Sequence, residues 1–272
     1  MDYNQIVSLV WQASKFVDVD TLEVKEKGNA FDFVTQVDTN VSNFLKQNLA
    51  KLYPQVGFVT EEEDAHVLTN ECFILDPVDG TTNLIYNYRQ SAISLAYAKD
   101  GNVQFGVVYN PFSHEMFFAI RGGGAYLYNA TAGIDALLNV GVQNYNQNPL
   151  CVGKRDLAHS LVEFGAGSSY KEQATETFAR AKRVFETCLD LRRICCTALS
   201  ICYLAAGRID GYFEKIIKPW DFAAGILILA ESGGVSSTWD GTPLPLDKPT
   251  TILCATQTIY NQLLDVVTEV NC

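Results

Sequence analysis

The 272-residue sequence predicts a layered α/β fold. Three patterns point to this class: apolar residues at helical spacing near the start, β-rich runs joined by turns in the first half, and alternating helix-like and strand-like segments in the second half. Because each helix or strand must bury an apolar face, this alternation favours sheets covered by helices.

The first half is predicted to begin with two amphipathic helices and to continue as mainly antiparallel β structure. Ile6, Leu9 and Val10 belong to an apolar stripe at helical spacing, which is typical of a helix with one buried face. Turn sequences at residues 100–102 and 122–124 separate pairs of β-rich runs, which indicates two hairpins. The helices are expected over residues 2–18 and 39–52, and the strands over 56–59, 72–75, 92–98, 103–109, 116–119 and 125–128.

The second half is predicted to alternate between strands and helices. Residues 139–148 are rich in Asn and Gln without periodicity, so we expect a loop between two lobes there. Gly207 and residues 233–234 follow apolar helical stretches, and glycine at such positions is a helix-stop signal. Strands are expected to open at Val152 and to cover residues 189–194 and 209–213, and helices are expected over 172–187, 197–206, 222–231 and 259–270.

The composition excludes several classes of protein. With 48% hydrophobic and 19% charged residues, the chain is not expected to be disordered. Its length suits one domain over residues 1–272, with a lobe of about residues 1–140 and a second of about 150–272. The formal charge of −11 predicts that neither nucleic acid nor an anionic membrane is a partner, because both are negative. An anionic ligand would need metal ions or backbone dipoles to hold it.

The sequence is expected to belong to a cytoplasmic protein. No basic, apolar leader opens it, and the longest strongly apolar run, residues 222–230, is shorter than the about 20 residues that span a bilayer. The eight cysteines form no C-x-x-C pair, so we expect buried or reduced thiols rather than zinc ligands or disulfides.

Acidic residues gather at the ends of predicted strands. In one loop, Asp76 and Asp79 flank a turn whose backbone Pro77 restricts. Gly80 follows the turn and can adopt backbone conformations that other residues disfavour. Two carboxylates this close repel each other, and a divalent cation such as Mg²⁺ would remove the repulsion. Thr81 then opens a helical turn whose free N–H groups suit a phosphate. The loop is compatible with a metal and an anion side by side, or with a simple capped turn.

Further acidic residues could join this loop. Glu61 opens the acidic run 61–64 after a predicted strand, Asp221 precedes an almost purely apolar helix, and Asp32 and Asp38 form an earlier pair. The alternatives are a solvated acidic turn at 61–64 and a helix N-cap at Asp221. Whether these groups converge depends on the fold, because sequence spacing does not bring them together.

Four motifs resemble those of the inositol monophosphatase family. Residues 76–83, D-P-V-D-G-T-T-N, match its D-P-[LIV]-D-G-T-T-N signature, and residues 220–225 with 231–234 match its W-D-x-A-A-G and E-[AS]-G-G segments. Residues 32–38 resemble its D-x-V-T-x-x-D segment and residues 60–62 its G-E-E segment. Because the motifs occur in the family's order across nearly the whole chain, the sequence is identified as a member.

The resemblance implies an αβαβα sandwich of the sugar-phosphatase type and Mg²⁺-dependent hydrolysis of a phosphate monoester. It implies two to three Mg²⁺ ions per chain. The implied metal ligands are Glu61, Asp76, the Val78 carbonyl, Asp79 and Asp221.

The resemblance also assigns the remaining catalytic roles. Glu61, Thr81 and Asp38 are the implied catalytic residues, and Thr81 with Asp38 resembles the pair that orients and deprotonates the attacking water. The amides of Gly80 and Thr81 would hold phosphate oxygens. Lys27 falls where the family has a lysine near the phosphate.

The implied substrate contacts come from Asp79, Thr197, Glu214 and Asp221, and Glu214 matches the position that binds an inositol hydroxyl. At residues 195–197, the sequence C-C-T replaces the family's G-[ST]-A, which either shifts specificity or is repacked. The loop at residues 165–169 is expected to supply another contact.

We therefore expect a phosphatase acting on myo-inositol monophosphate or a similar polyol phosphate. The alternative enzymes are a fructose-1,6-bisphosphatase or a 3′-phosphoadenosine 5′-phosphate phosphatase of the same superfamily. The alternative of another class is a regulatory binding protein on this scaffold. The resemblance further implies a homodimer and inhibition by Li⁺.

Overall fold

The structure is a computed structural model that describes residues 1–19, 22–26, 33–63 and 67–269. Its helices are α1 (Tyr3–Ala13), α2 (Gln36–Leu52), α3 (Thr81–Ile85), α4 (Asp135–Val140), α5 (Ala174–Phe185), α6 (Thr197–Ala205), α7 (Pro219–Glu231) and α8 (Tyr260–Thr268). Its strands are β1 (Val24–Glu26), β2 (Phe33–Thr35), β3 (Gly57–Thr60), β4 (Glu71–Asp79), β5 (Ala92–Lys99), β6 (Asn102–Asn110), β7 (Glu115–Ile120), β8 (Gly124–Asn129), β9 (Leu161–Phe164), β10 (Asp190–Arg192), β11 (Gly211–Ile217), β12 (Gly234–Ser237) and β13 (Thr250–Thr256).

Two large sheets form the frame of the molecule. The first has six strands in the order β3-β4-β5-β6-β7-β8, and all neighbours are antiparallel except the parallel pair β3 and β4. The second has five strands in the order β10-β9-β11-β13-β12, with β9 parallel to both of its neighbours. Strands β1 and β2 pair separately.

The sheets and helices stack in five layers. Helices α1 and α2 cover the outer face of the six-stranded sheet, where Val41 packs with residues such as Phe73. Helices α6 and α7 lie between the two sheets, and α5 and α8 cover the outer face of the five-stranded sheet. The close contact of α7 with β6 requires glycine at 106, because a Cβ there would lie 2.7 Å from the Ala224 carbonyl oxygen. The predicted αβαβα sandwich is confirmed.

Most predicted elements are present, including both hairpins and the helices at both ends of the chain. One predicted strand is wrong: Val152 lies in a connecting segment, where its N–H donates to the Ser232 carbonyl at 3.2 Å, and the strand β9 follows it. The predicted loop at 139–148 is partly helical, because α4 extends to Val140 and a 3₁₀ turn follows at 142–144. Strands β1, β2, β9, β12 and β13 and helix α4 were not predicted. Residue 270, the predicted end of the last helix, lies outside the described residues.

The acidic loop differs in one respect from its prediction. Strand β4 does not end at Leu75 but continues to Asp79, with an irregular register between Asp76 and Asp79. Proline cannot donate to a ladder, and such an irregularity is where a strand tolerates one, so Pro77 is accommodated there. None of the helices among the described residues is both long and apolar enough to cross a bilayer.

Candidate active site

The predicted site residues meet in one cleft of about 360 Å³. Its walls come from the ends of β3 and β4, the first turns of α3, α6 and α7, and the strand β11. Every residue predicted to bind metal, phosphate or substrate lines this cleft. Of the predicted catalytic residues, Glu61 and Thr81 line it, and Asp38 contacts Thr81 from behind. Lys27, Asp32 and Asp64 lie outside the described residues.

Three carboxylates form the centre of the cleft. Oxygen atoms of Glu61, Asp76 and Asp221 all lie within 4.8 Å of one another. Glu61 follows β3, Asp76 lies in β4 and Asp221 is in the first turn of α7, so three separate elements supply them. Burial, followed by the charges of neighbouring carboxylates, raises the pKa of Asp76 and of Asp221 well above the ordinary range. Hard oxygen donors whose repulsion needs a counter-charge fit a divalent cation such as Mg²⁺.

Asp221 is not the helix N-cap that one alternative predicted. Helix α7 begins at Pro219, so Asp221 occupies its third position and its carboxylate accepts the Lys218 N–H at 2.9 Å. The N–H that the Asp221 carboxylate accepts belongs to the residue just before the helix. It fixes the carboxylate at the start of an apolar helix, where the other acidic groups also lie.

Asp79 is held by the first turn of α6. Its Oδ2 accepts the Ala198 N–H at 2.5 Å and lies 3.3 Å from the Sγ of Cys196. Burial raises the pKa of Asp79 to about 7, although these two hydrogen bonds act in the opposite direction. Burial and the nearby Asp79 also raise the pKa of the Cys196 thiol, so the thiol keeps its proton and acts as the donor. Cys196 thus belongs to the site, and its neighbour Cys195 also lines the cleft.

Asp38 and Thr81 are in contact across two elements. Asp38 closes a capping box at the start of α2, where its Oδ2 accepts the Thr35 N–H at 2.8 Å. The Thr81 hydroxyl lies 3.3 Å from Asp38 Oδ1 and 3.1 Å from the Val78 carbonyl oxygen, and its single proton can serve one of them at a time. Burial raises the pKa of Asp38 to about 6 against the lowering effect of the Thr35 bonds. This carboxylate is therefore able to take up a proton near neutral pH.

Gly80 sets the direction of helix α3. Its φ of +86° lies in the left-handed region, and a Cβ there would lie 2.8 Å from the Gln90 carbonyl oxygen. Only glycine fits both conditions without strain. The turn that it forms joins the carboxylates of β4 to the first turn of α3.

Glu214 lies at the far side of the cleft in a buried hydrogen-bond group. Its Oε2 accepts the Tyr212 hydroxyl at 2.5 Å and the Thr197 hydroxyl at 3.3 Å. Burial raises its pKa despite these bonds. Gly165 faces it so closely that a Cβ would lie 2.1 Å from the Glu214 Cδ. The predicted pair Thr197 and Glu214 is therefore in contact.

Several residues that line the cleft were not predicted from the sequence, among them Tyr212, Arg193 and Lys218. The two cations provide positive charge in a wall that is otherwise acidic. Lys218 lies three residues before Asp221. A basic residue so close to an acidic motif was a signal in the sequence that could have indicated a cation in the site. Nothing in the sequence pattern pointed to Tyr212.

The chain is similar to known proteins over most of its length. The profile of the inositol monophosphatase family matches residues 4–271. An inositol-1-monophosphatase from Rhizobium meliloti is 32% identical, and the aligned region covers 97% of this chain and 95% of that protein. A protein named Nus factor SuhB from Salmonella typhimurium is 36% identical over 231 residues, which cover 84% of this chain and 80% of that protein. The crystal structure of extragenic suppressor protein suhB from Bartonella henselae is 28% identical, with a TM-score of 0.85 and 98% of each chain covered.

Proposed function

Because the chain belongs to the inositol monophosphatase family, we propose that it is a Mg²⁺-dependent phosphatase of myo-inositol monophosphate or a similar polyol phosphate. The observation that carries the proposal is the group of three carboxylates within 4.8 Å of one another, beside Asp79 and the first turn of α3. A cluster of this kind binds an anion only when cations offset its charge. A phosphate ester together with Mg²⁺ meets that need.

The acidic residues would hold two to three Mg²⁺ ions. Glu61, Asp76, Asp79 and Asp221 would bind through carboxylate oxygens and Val78 through its carbonyl. When bound, Mg²⁺ supplies positive charge that lowers the pKa of a water molecule and offsets charge on the leaving oxygen. The raised pKa of Asp76 in the protein alone supports this assignment, because burial and then the negative charge of neighbouring carboxylates raise it, and a bound cation would offset that charge.

Thr81 and Asp38 would prepare the attacking water. The contact between their side chains, 3.3 Å from oxygen to oxygen, would let the Thr81 hydroxyl orient the water and pass a proton to Asp38. An acceptor with a pKa of about 6 suits this role, because it is mostly deprotonated at neutral pH but not too weak a base. Glu61, the third catalytic residue of the proposal, would act from within the group of three carboxylates.

The phosphate and the alcohol would bind at opposite ends of the cleft. The amides of Gly80 and Thr81 would receive phosphate oxygens at the first turn of α3. The alcohol would contact Glu214 and Thr197, with further contacts from Asp79 and Asp221. The proposal includes a homodimer, a cytoplasmic location and inhibition by Li⁺.

The first experiment measures phosphate release with and without Mg²⁺ from inositol 1-phosphate, fructose 1,6-bisphosphate, glycerol 2-phosphate and 3′-phosphoadenosine 5′-phosphate. Replacement of one metal-holding carboxylate, Asp79→Asn, should lower kcat/KM by at least about a hundredfold, because even residues that only support metal ligands often contribute 10- to 100-fold. The matched control is Asp265→Asn, which changes the same residue type at an exposed position of α8. Full activity of the Asp79→Asn protein would contradict the metal assignment.

The substrate panel also decides among the enzyme alternatives. Preference for inositol 1-phosphate would support the role of Glu214 and Thr197. Preference for fructose 1,6-bisphosphate or for 3′-phosphoadenosine 5′-phosphate would favour the corresponding member of the superfamily.

A second candidate function is a regulatory binding protein on this scaffold. It is favoured by one observation, that a relative covering 84% of this chain is named a Nus factor. The expectation that nucleic acid is no partner therefore stays a prediction. A pulldown with the full chain, combined with the phosphate-release assay and its Mg²⁺-free blank, tests this candidate. A specific partner without Mg²⁺-dependent phosphate release would favour it over the phosphatase.

A further inference from the structure

The carboxylate of Asp79 is held through only one of its two oxygens. Its Oδ2 accepts two donors from the first turn of α6, the Ala198 N–H at 2.5 Å and the Cys196 thiol at 3.3 Å. No hydrogen bond from the described residues reaches its other oxygen, Oδ1, and Asp79 lines the cleft. One oxygen is therefore tied to α6, and the other is left for a ligand in the cleft.

The bonds from α6 hold Asp79 beside the group of three carboxylates. Among the described residues, that group consists of Glu61, Asp76 and Asp221. Burial is the main reason that the pKa of Asp76 and of Asp221 is raised, and the charge of Asp79 adds to the effect on both. Asp79 is thus close enough to share a cation with the group, and the donors on α6 fix its position relative to that cation.

The thiol that holds Asp79 is itself fixed in place. Cys196 is buried as the N-cap residue of α6, and its carbonyl accepts the Ser200 N–H at 3.0 Å. The segment before it is bonded to α3, where the Asn83 side chain donates to the Ile194 carbonyl oxygen at 2.7 Å. A Cβ at position 80 would lie 3.3 Å from the Cys196 Cβ, so the turn between β4 and α3 packs closely against this residue. The thiol therefore has little freedom to turn away from Asp79.

We propose that Cys196 is a positioning residue that sets how tightly Asp79 binds Mg²⁺, because its thiol holds Oδ2 and leaves Oδ1 to the cation. The inference rests on the proposed phosphatase function. A thiol is a weak donor, but a charged acceptor strengthens its hydrogen bond. In the C-C-T segment Cys196 stands where the family pattern has Ser or Thr, so the side chain differs but a donor is kept. Without the thiol, Asp79 would keep only the bond from Ala198, and its carboxylate would rotate more freely.

The first test measures Mg²⁺ binding to the metal-free protein by titration calorimetry. Cys196→Ala should raise the Kd for Mg²⁺ by about tenfold, since groups that orient metal ligands contribute about 10- to 100-fold and a thiol is among the weaker donors. Cys196→Ser keeps a donor and should bind Mg²⁺ nearly as tightly as the wild type. Cys202→Ala is the matched control, because Cys202 is buried on the same helix but lies outside the cleft, and its Kd should not change. The Mg²⁺ concentration for half-maximal phosphate release from inositol 1-phosphate should follow the same order.

The second test detects the hydrogen bond of the thiol in the wild-type protein by infrared spectroscopy. The S–H stretching band that Cys196→Ser removes should lie at lower frequency than the band that Cys202→Ala removes, because donation to a carboxylate weakens the S–H bond. Addition of Mg²⁺ should move the Cys196 band to higher frequency, since the cation draws charge from the acceptor. This measurement decides the question even if Cys196→Ala does not fold.

The outcomes separate this inference from the proposed function. If the wild type binds Mg²⁺ and releases phosphate but Cys196→Ala binds Mg²⁺ equally well, the positioning role is refuted and the phosphatase remains. An equal loss of affinity in Cys202→Ala or in Cys196→Ser also refutes the role, because it indicates an effect of packing. Equal frequencies of the Cys196 and Cys202 bands, or a Cys196 band that Mg²⁺ does not move, count against it as well. A wild type that neither binds Mg²⁺ nor releases phosphate contradicts the phosphatase, and the inference with it.

Discussion

At the scale of single residues, Cys195 is a strained point in the wall of the cleft. Its φ of +58° lies in the left-handed region, where the family pattern has glycine. A side chain that is not Asn or Gly in this region costs about 1–3 kcal/mol.

This strain predicts a stabilising substitution. Cys195→Gly should raise the free energy of unfolding by about 1 kcal/mol and the Tm by about 2–4 °C, because relief of the strain exceeds the entropy that glycine adds to the unfolded chain. Cys195→Ala keeps the Cβ and should give no such gain. Thermal and denaturant unfolding of the three proteins measures the difference, and equal gains in both variants would show that the thiol, not the backbone, is responsible.

Local sequence patterns predicted the residues of the candidate site singly, and only the family resemblance grouped them. Asp76, Asp79 and Gly80 stood out because two carboxylates, a proline and a glycine directly follow the predicted strand 72–75. The contact of Asp79 with Cys196 and Ala198 spans more than a hundred residues of sequence. Such a contact depends on where α6 meets β4, and no local pattern encodes that position.

At the scale of elements, the hairpin of β7 and β8 is attached to the end of α7. The carboxylate of Glu231 accepts the N–H groups of Gly122 at 2.7 Å and of Gly124 at 2.9 Å. These contacts give the E-S-G-G segment a structural role, because its glutamate ties the last turn of α7 to the tip of a hairpin in the six-stranded sheet.

Loss of this attachment should loosen the hairpin. Glu231→Ala should lower the free energy of unfolding by about 1–2 kcal/mol, since two hydrogen bonds to a charged acceptor disappear while the partly exposed amides regain water. Amide hydrogen exchange should become faster at Gly122 and Gly124. Glu186→Ala, which removes an exposed ion pair with Lys182 on α5, is the control and should change little. Unchanged exchange at the two glycines would contradict the structural role.

Element prediction succeeded where the pattern is local and failed where it is not. The two hairpins were predicted because their turns and alternating residues are close in sequence. Strands β12 and β13 were missed because β12 is short and β13 is flanked by polar residues, and both depend on pairing with each other and with β11. Val152 has a β-forming side chain, but its backbone bonds to the Ser232 loop rather than to a strand.

At the scale of the whole molecule, the layer of α6 and α7 joins the two sheets. Residues of both sheets and both helices form one continuous apolar core, in which Ala96 and Ile252 come from opposite sheets. We retain the proposal of one catalytic domain in two lobes over residues 1–272, and this shared core supports it. The cleft lies where the lobes meet, so its carboxylates come from both.

Burial of these carboxylates predicts how stability depends on pH when no metal is bound. Burial raises the pKa of Asp38 to about 6 and of Asp79 to about 7, against 3.8 for an aspartate in an ordinary environment. Between these values the folded protein holds protons that the unfolded chain has already released, so stability falls as pH rises. The metal-free protein should therefore lose several degrees of Tm between pH 5 and pH 8, and Mg²⁺ at pH 8 should restore them, because it offsets the same negative charge.

Two variants separate this effect from the general repulsion of a chain with a net charge of −11. Asp79→Asn removes one titrating group from the cleft, so its metal-free Tm should fall less between pH 5 and pH 8 and should rise less with Mg²⁺. Asp265→Asn changes the net charge by the same amount outside the cleft and should behave like the wild type. A metal-free Tm that is constant or rises over this range would refute the link between the buried carboxylates and stability, and equal slopes in the two variants would assign the pH dependence to net charge alone.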